Sequence, residues 1–342
     1  MRPGLYIAGL GSELPEPTTV DDAERAGLVE RRTLWRTEIE SVCVATESGP
    51  ELAAAAARRA LAQAGCAPDD VDLILHANTY FQGHDMWAPA SYVQRVAVGN
   101  RCPAVEIRQM SNGGLAALEL AAAYLTADPA RTHALVTTGD RFCPPGFDRW
   151  RSDVGTVYAD GGTALVLSSR RGFARLDSLA TVSDPSLEGM QRGGDPFGDA
   201  PMSARSPVDV EAMRKAFVAT HGLDTVLDRI DAGQREAVKR ALSEAGVELA
   251  DIDRFVLPNL GRARLNAYFL DKLPIDPDRT TWSWGRRVGH LGAGDQIAGL
   301  AHLVADGGLH PGQRCLLAGV GAGFTWTCAV VQLLRRPKGG AR

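Results

Sequence analysis

No apolar run in the chain reaches the roughly 20 residues that a bilayer-spanning helix requires. No charge dominates either: 37 Lys and Arg stand against 41 Asp and Glu, a formal net charge of −4 over 342 residues. The absence of a basic run gives no electrostatic footprint for nucleic acid. Cysteines are few, at positions 43, 66, 102, 143, 315 and 328, with no CxxC pair and no histidine at zinc-ligand spacing. They read as reduced thiols, several of them in the core, with a reactive thiol at Cys43 or Cys143 as the alternative. The opening run Leu5-Tyr6-Ile7-Ala8-Gly9 is strand-like and too short for the apolar core of a signal peptide. The expectation is a cytoplasmic protein without metal, membrane or nucleic-acid partner. With 45% hydrophobic and 23% charged residues the chain is globular. Its length allows two domains, or one fold made of two halves.

A repeat favours two halves. Residues 58–78 (RRALAQAGCAPDDVDLILHAN) and 239–259 (KRALSEAGVELADIDRFVLPN) agree at eight of 21 positions with an offset of 181. Each copy reads as a helix stopped by glycine, a turn and a buried strand, the second part of a βαβ unit. Downstream, strand 104–107 leads through the turn Met110-Ser111-Asn112-Gly113-Gly114 into a helix to about Thr126. In the second copy Thr281–Trp284 is the candidate strand, followed by the turn Gly289-His290-Leu291-Gly292 and a helix from about Gly294. Apolar strands 134–139 and 315–319, then 163–167 and 327–331, complete the pairing. The chain thus divides at 1–170 and 171–342 into two α/β halves with mostly parallel strands. Residues 184–208, rich in Gly, Pro, Asp and Ser, have no counterpart and read as a connecting or lid segment.

Ser111 and His290 lie 179 residues apart, close to the repeat offset, so both belong to turns that feed helices. Two helix N-termini aimed at one site would favour developing negative charge. Serine is also a common N-cap, and a lone histidine is commonly structural; the coincidence is what raises the functional reading. Among the other histidines, His76 stands out because it ends a strand.

The chain resembles β-ketoacyl-acyl-carrier-protein synthase III of the thiolase superfamily. Three stretches carry the resemblance: Pro103-Ala104-Val105-Glu106-Ile107 before the Ser111 turn, Tyr158-Ala159-Asp160-Gly161-Gly162, and Gly321-Ala322-Gly323-Phe324-Thr325-Trp326 after Pro311-Gly312-Gln313. The resemblance implies an α/β thiolase fold, with duplicated βαβαβ halves packed in five layers, α-β-α-β-α, and a homodimer. The family uses a Cys–His–Asn set. Here Ser111 stands in the cysteine's place, Asn259 in the histidine's and His290 in the asparagine's.

That exchange implies different chemistry. A serine hydroxyl needs a base; His290 can serve, and Asp295, five residues on, can reach back to orient it. Asp295 can equally be a first-turn acidic residue interacting with the helix dipole. The departed pattern resembles the synthase III-like acyltransferases of natural-product (polyketide, antibiotic) biosynthesis. It implies transfer of an acyl group from an acyl carrier protein, through acyl-Ser111, to a second carrier or to a hydroxyl or amine. Backbone N–H groups of Ser111 and Ala322 would hold the oxyanion, and Asn259 would donate a hydrogen bond near the thioester or acceptor. The chain would need no cofactor of its own, since phosphopantetheine arrives on the carrier. Arg31-Arg32 occupies the place where coenzyme A-using synthases commonly carry tryptophan, and Trp35 lies nearer Arg36, which favours a carrier-protein donor. Arg262, Arg264 and Lys272 are candidate docking charges for that acidic partner. The competing readings are a starter-unit synthase that condenses with loss of carbon dioxide and a catalytically silent partner subunit.

Overall fold

The repeat is explained residue by residue in a computed structural model of the chain, which describes residues 4–337. The helices Gly49–Ala64 and Leu223–Ala245 each end at a glycine with positive φ, Gly65 at +62° and Gly246 at +66°, where a side chain would be strained. A short turn follows each. In it Asp70 accepts from the Ala67 N–H at 3.0 Å, and Asp251 accepts from that of Glu248 at 2.9 Å. Two residues later the aspartates diverge from the helix and serve the next strand: Asp72 accepts from the backbone of His133, and Asp253 from that of Arg314. The spacing shared by the two copies therefore encodes a helix stop, a turn and the register of a neighbouring strand.

Eleven strands form among the described residues: β1 (Leu5–Glu13), β2 (Pro17–Thr19), β3 (Ser41–Cys43), β4 (Val71–Ala77), β5 (Ala104–Ile107), β6 (His133–Asp140), β7 (Gly161–Ser168), β8 (Ala174–Ser183), β9 (Arg254–Val256), β10 (Arg314–Gly321) and β11 (Thr325–Leu333). β2 and β3 form a separate ribbon. The others lie in the order β5-β4-β6-β7-β1-β8-β11-β10-β9, a near-mirror arrangement about β1 and β8. Only three residue pairs, Leu5–Leu176, Tyr6–Arg175 and Ile7–Ala174, join the two halves there.

Strand alternation builds the layers. On β6, Ala134 and Val136 face the same cluster as Cys315 and Leu317 of β10, and this cluster encloses Leu115, Leu118, Ile297 and Leu300. The helices Gly113–Ala127 and Asp295–Ala305 are therefore the middle layer, covered by both halves. The alternate residues Leu135 and Val166 pack outward on Ala53, Ala57 and Ala60 of the first outer helix. Leu316 and Val330 pack outward on Ile230, Ala237 and Ala241 of the second. This is the five-layered α-β-α-β-α thiolase architecture.

Two sequence expectations are corrected. The strands are mixed rather than mostly parallel: β5-β4, β4-β6 and β10-β9 are parallel, and the other five contacts of the large sheet are antiparallel. No helix lies between β6 and β7, or between β10 and β11, to carry a parallel crossover. Thr281–Trp284 is not a strand. Trp282–Val288 is a helix whose first N–H is accepted by the Thr280 hydroxyl at 3.2 Å, and the fifth strand of the second half shrinks to one bridge between Phe255 and Thr280. The aromatic residues that suggested a strand instead pack Trp282 and Trp284 on Val42 and Val288. Strand β8 carries only weak alternation, so the sequence offers no clear period for it.

No helix among the described residues is long and apolar enough to cross a membrane.

Candidate active site

Met110 takes a left-handed conformation (φ +49°), a costly one for a non-glycine residue, and turns the chain between β5 and the central helix. Ser111 follows in a short turn at Met110–Asn112. Its hydroxyl makes no capping bond to the helix; it meets His290 Nε2 at 2.7 Å. The N-cap reading of Ser111 is thus not realised. Two glycines permit the approach of the facing turn. A Cβ on Gly113 would stand 3.1 Å from Ala293 Cβ, and one on Gly114 would stand 2.6 Å from the Ala293 carbonyl oxygen.

The turn equivalent to that of Ser111 is Gly292–Gly294, not His290. His290 lies two residues earlier, in a segment joined to Tyr158 by an isolated bridge: its N–H donates to Val157 and its carbonyl accepts from Ala159, at 3.0 and 2.8 Å. The following helix starts at Asp295, whose carboxylate turns back. Asp295 Oδ2 lies 2.6 Å from His290 Nδ1 and accepts from the Asn259 N–H at 2.8 Å; Oδ1 accepts from the Leu291 N–H at 2.8 Å. With acceptors only at the carboxylate, Nδ1 carries the proton and Nε2 is left as the acceptor for the serine hydroxyl. Both His290 and Asp295 are buried. The edge of the Tyr158 ring packs on the imidazole, with centroids 5.0 Å apart.

Asn259 is buried and directed elsewhere. Its Nδ2 donates to the Gly289 carbonyl at 2.9 Å, and its Oδ1 lies over Gly285. It supports the turn that carries His290 and is not on the wall of the cavity at Ser111, in contrast to the expected donor near a thioester. Ala322 is on that wall.

Arg264 is also corrected. It is not a free surface charge: its two terminal nitrogens reach Asp153 at 2.7 and 2.8 Å, and Thr156 accepts from it at 2.6 Å. Arg214 also approaches Asp153, at 3.3 Å. Burial opposes the charge on Asp153, but the Arg264 and Arg214 guanidinium groups prevail and hold its carboxyl well below the usual range. All three line the Ser111 cavity. The sequence reading missed Asp153 and Arg214; no local pattern links positions 153, 214 and 264, which only the fold assembles. Arg262 lies 5.9 Å from the Trp282 ring centroid, and Lys272 is exposed with no ion pair among the described residues.

Behind the site, Asp140 accepts from Thr79 and Tyr80 at 2.8 Å and from Ala293 at 3.4 Å, tying the first half to the turn after His290. Burial pushes its carboxyl up to about 7, against those N–H bonds. His76 is buried between Thr137 and Gln82, and burial lowers its pKa. It lies off the cavity wall. Burial also pushes the Cys43 thiol up to about 12, which argues against a reactive thiolate there. Cys143 is not on the wall of the Ser111 cavity. No group of three or more His, Cys, Asp or Glu residues among those described is arranged to hold a metal.

The cavity at Ser111, about 70 Å³, adjoins a wider one of about 460 Å³ lined by Tyr80, Phe142, Phe147, Val210 and Met213. Met190 and Gln191, in the segment expected to be a lid, border the smaller cavity. An Asp195–Arg205 ion pair ties the loop that follows.

A duplicated five-layer fold with its candidate site between the two central turns defines the thiolase class of enzymes. Two models of 3-oxoacyl-[acyl-carrier-protein (ACP)] synthase III match the chain, the main one at residues 105–185 and the C-terminal one at 242–333. The β-ketoacyl-[acyl-carrier-protein] synthase III of Rhodospirillum rubrum is 30% identical over 336 residues, covering 96% of this chain and 98% of the relative. A solved structure named ChlB3, an acyltransferase, is 37% identical with a TM-score of 0.94 and covers 98% of this chain and 99% of its own. The synthase III of Aquifex aeolicus shares the fold at 20% identity and TM-score 0.78, covering 96% of this chain and 100% of its own. The chain belongs to the synthase III family of the thiolase superfamily and is an enzyme of that family.

Proposed function

We propose that the protein is a non-condensing acyltransferase that moves an acyl group from an acyl-carrier-protein thioester, through acyl-Ser111, to a second carrier or to a hydroxyl or amine. The observation that carries this reading is the unbroken chain Ser111 Oγ–His290 Nε2–Asp295. In the first half-reaction Ser111 Oγ attacks the thioester carbonyl while His290 takes its proton. The backbone N–H groups of Ser111 and Ala322 would hold the oxyanion. The C–S bond then breaks, the sulfur takes the proton from His290, and the carrier leaves as its thiol. In the second half-reaction His290 deprotonates the acceptor, which attacks the acyl carbonyl; the bond to Ser111 Oγ breaks, and His290 returns the proton to that oxygen. Asp295 orients the ring and stabilises the imidazolium. The chain would supply no cofactor; phosphopantetheine would enter on the carrier.

Condensation with loss of carbon dioxide is the second reading, because the curated synthase III relatives bear that name. It requires donors for a thioester enolate. Asn259, whose amide is spent on Gly289, is a poor candidate for that role. The similarity to a protein named as an acyltransferase favours transfer. The test sets malonyl-carrier protein beside a simple acyl-carrier protein. Transfer without carbon dioxide is expected; stoichiometric carbon dioxide with a β-ketoacyl product overturns the proposal.

Arg262 and Lys272 are proposed to dock the acidic carrier in the cytoplasm, with Arg264 excluded by its bond to Asp153. Charge reversal at both should raise KM for carrier-bound acyl donors more than for the same acyl group on pantetheine alone. Equal changes would remove these residues from docking.

A homodimer is proposed as well. β5 ends the large sheet with one edge unpaired, and its Val105 is 45% exposed. Sedimentation equilibrium at micromolar concentration should return twice the chain mass; a monomer overturns this.

A further inference from the structure

Tyr158 is a wall residue whose functional group the proposed transfer leaves unused although the site holds it firmly. Its residue is only 8% exposed, with its ring packed between Phe142 and Phe147, both at 4.7 Å between centroids, and against His290. Its backbone is fixed by the bridge to His290. Yet its hydroxyl makes no hydrogen bond among the described residues and is not sealed from the cavities. Buried phenols ordinarily find a partner. Tyr158 borders both the Ser111 cavity and the wider apolar one, so it stands where one opens into the other. An acyl group on Ser111 whose tail enters the apolar chamber passes this residue.

We infer that the Tyr158 hydroxyl is a specificity determinant that donates a hydrogen bond to an oxygen substituent, hydroxyl or keto, close to the carbonyl of the transferred acyl group. The substrate class of the proposed transfer, on which this inference rests, is then oxygen-bearing acyl groups rather than plain hydrocarbon chains. The donor is available throughout the neutral range: burial, and then the Asp153 charge, raise the phenol above its ordinary value, so it stays protonated. An analogue without the oxygen leaves the phenol unpaired, the situation in which a polar site discriminates most strongly.

The experiment measures binding, so it does not depend on turnover. Amide analogues of acyl-pantetheine, which cannot transfer their acyl group, are titrated calorimetrically in two matched pairs: butyryl with 3-hydroxybutyryl, and benzoyl with 2-hydroxybenzoyl. The wild-type protein should bind the oxygenated member of at least one pair about 10-fold more tightly. Tyr158→Phe keeps the ring and removes the donor; its ratio should fall to about one, with the thermal unfolding temperature checking the fold. Equal affinity within both pairs, absence of binding, or a ratio that survives in Tyr158→Phe overturns the inference. The wild-type ratio stands even if the variant does not fold. Intact-mass acylation of Ser111 is read separately. Acylation without discrimination leaves the transferase reading and removes this one; discrimination without acylation does the reverse.

Discussion

Ser111→Ala protein incubated with acyl-carrier thioesters should gain no acyl mass, and its transfer rate should fall at least about 10⁴-fold. The loss should be catalytic. The Ser111 hydroxyl caps no helix, and it bonds to His290, so removing one oxygen from this half-buried side chain leaves the surrounding packing in place. The unfolding temperature should therefore stay close to that of the wild type. Ser111→Cys should still accept acyl groups, because a thiol is the stronger intrinsic nucleophile. Intact-mass spectrometry and thermal unfolding read both expectations. Alanine protein that still becomes acylated and turns over normally would remove Ser111 from the chemistry.

Asp295→Asn should be nearly as damaging. Each carboxylate oxygen of Asp295 accepts an N–H: Leu291 at Oδ1, and Asn259 with His290 Nδ1 at Oδ2. An amide has one oxygen and one NH₂ group. If its NH₂ faces Leu291, two donors oppose each other in a buried site. If it faces His290, the imidazole moves its proton to Nε2 and can no longer accept from Ser111. Acylation and deacylation should both fall, by up to about 10⁴-fold. Single-turnover measurements of acyl mass gain, and of its discharge to an acceptor, separate the two steps. A loss under 10-fold in both would mean that Asp295 is a structural first-turn carboxylate only.

Much of the architecture was legible because local chemistry repeats. Gly65 and Gly246 need positive φ, Asp70 and Asp251 close a turn, and Asp72 and Asp253 hold a neighbouring strand. These are short-range demands that leave a trace at fixed spacing. The fifth strand of the second half failed for the converse reason: Thr281–Trp284 has strand-like aromatic residues, but tertiary packing on Val42 and Val288 takes them as a helix. Strand β8, half-buried with irregular alternation, left too weak a pattern.

At the site, the sequence by itself determined which residue types were available: a hydroxyl in a glycine-flanked turn, a histidine with a carboxylate five positions on, and an asparagine exchanged with that histidine relative to the family pattern. Direction was decided by the tertiary structure. Asn259 was legible as a polar residue near the site, yet whether its amide met a ligand or the Gly289 carbonyl depended on where the helix Trp282–Val288 lay. Arg264 was legible as a cation, but Asp153, 111 residues earlier, converts it from a surface charge into part of the cavity wall. The hydroxyl of Tyr158 could be assigned no task until two cavities were seen to meet at its ring. Spacing along a chain records contacts within one element or its repeat; the partner of a side chain reached across two halves is chosen by packing, which leaves no period in the sequence to read.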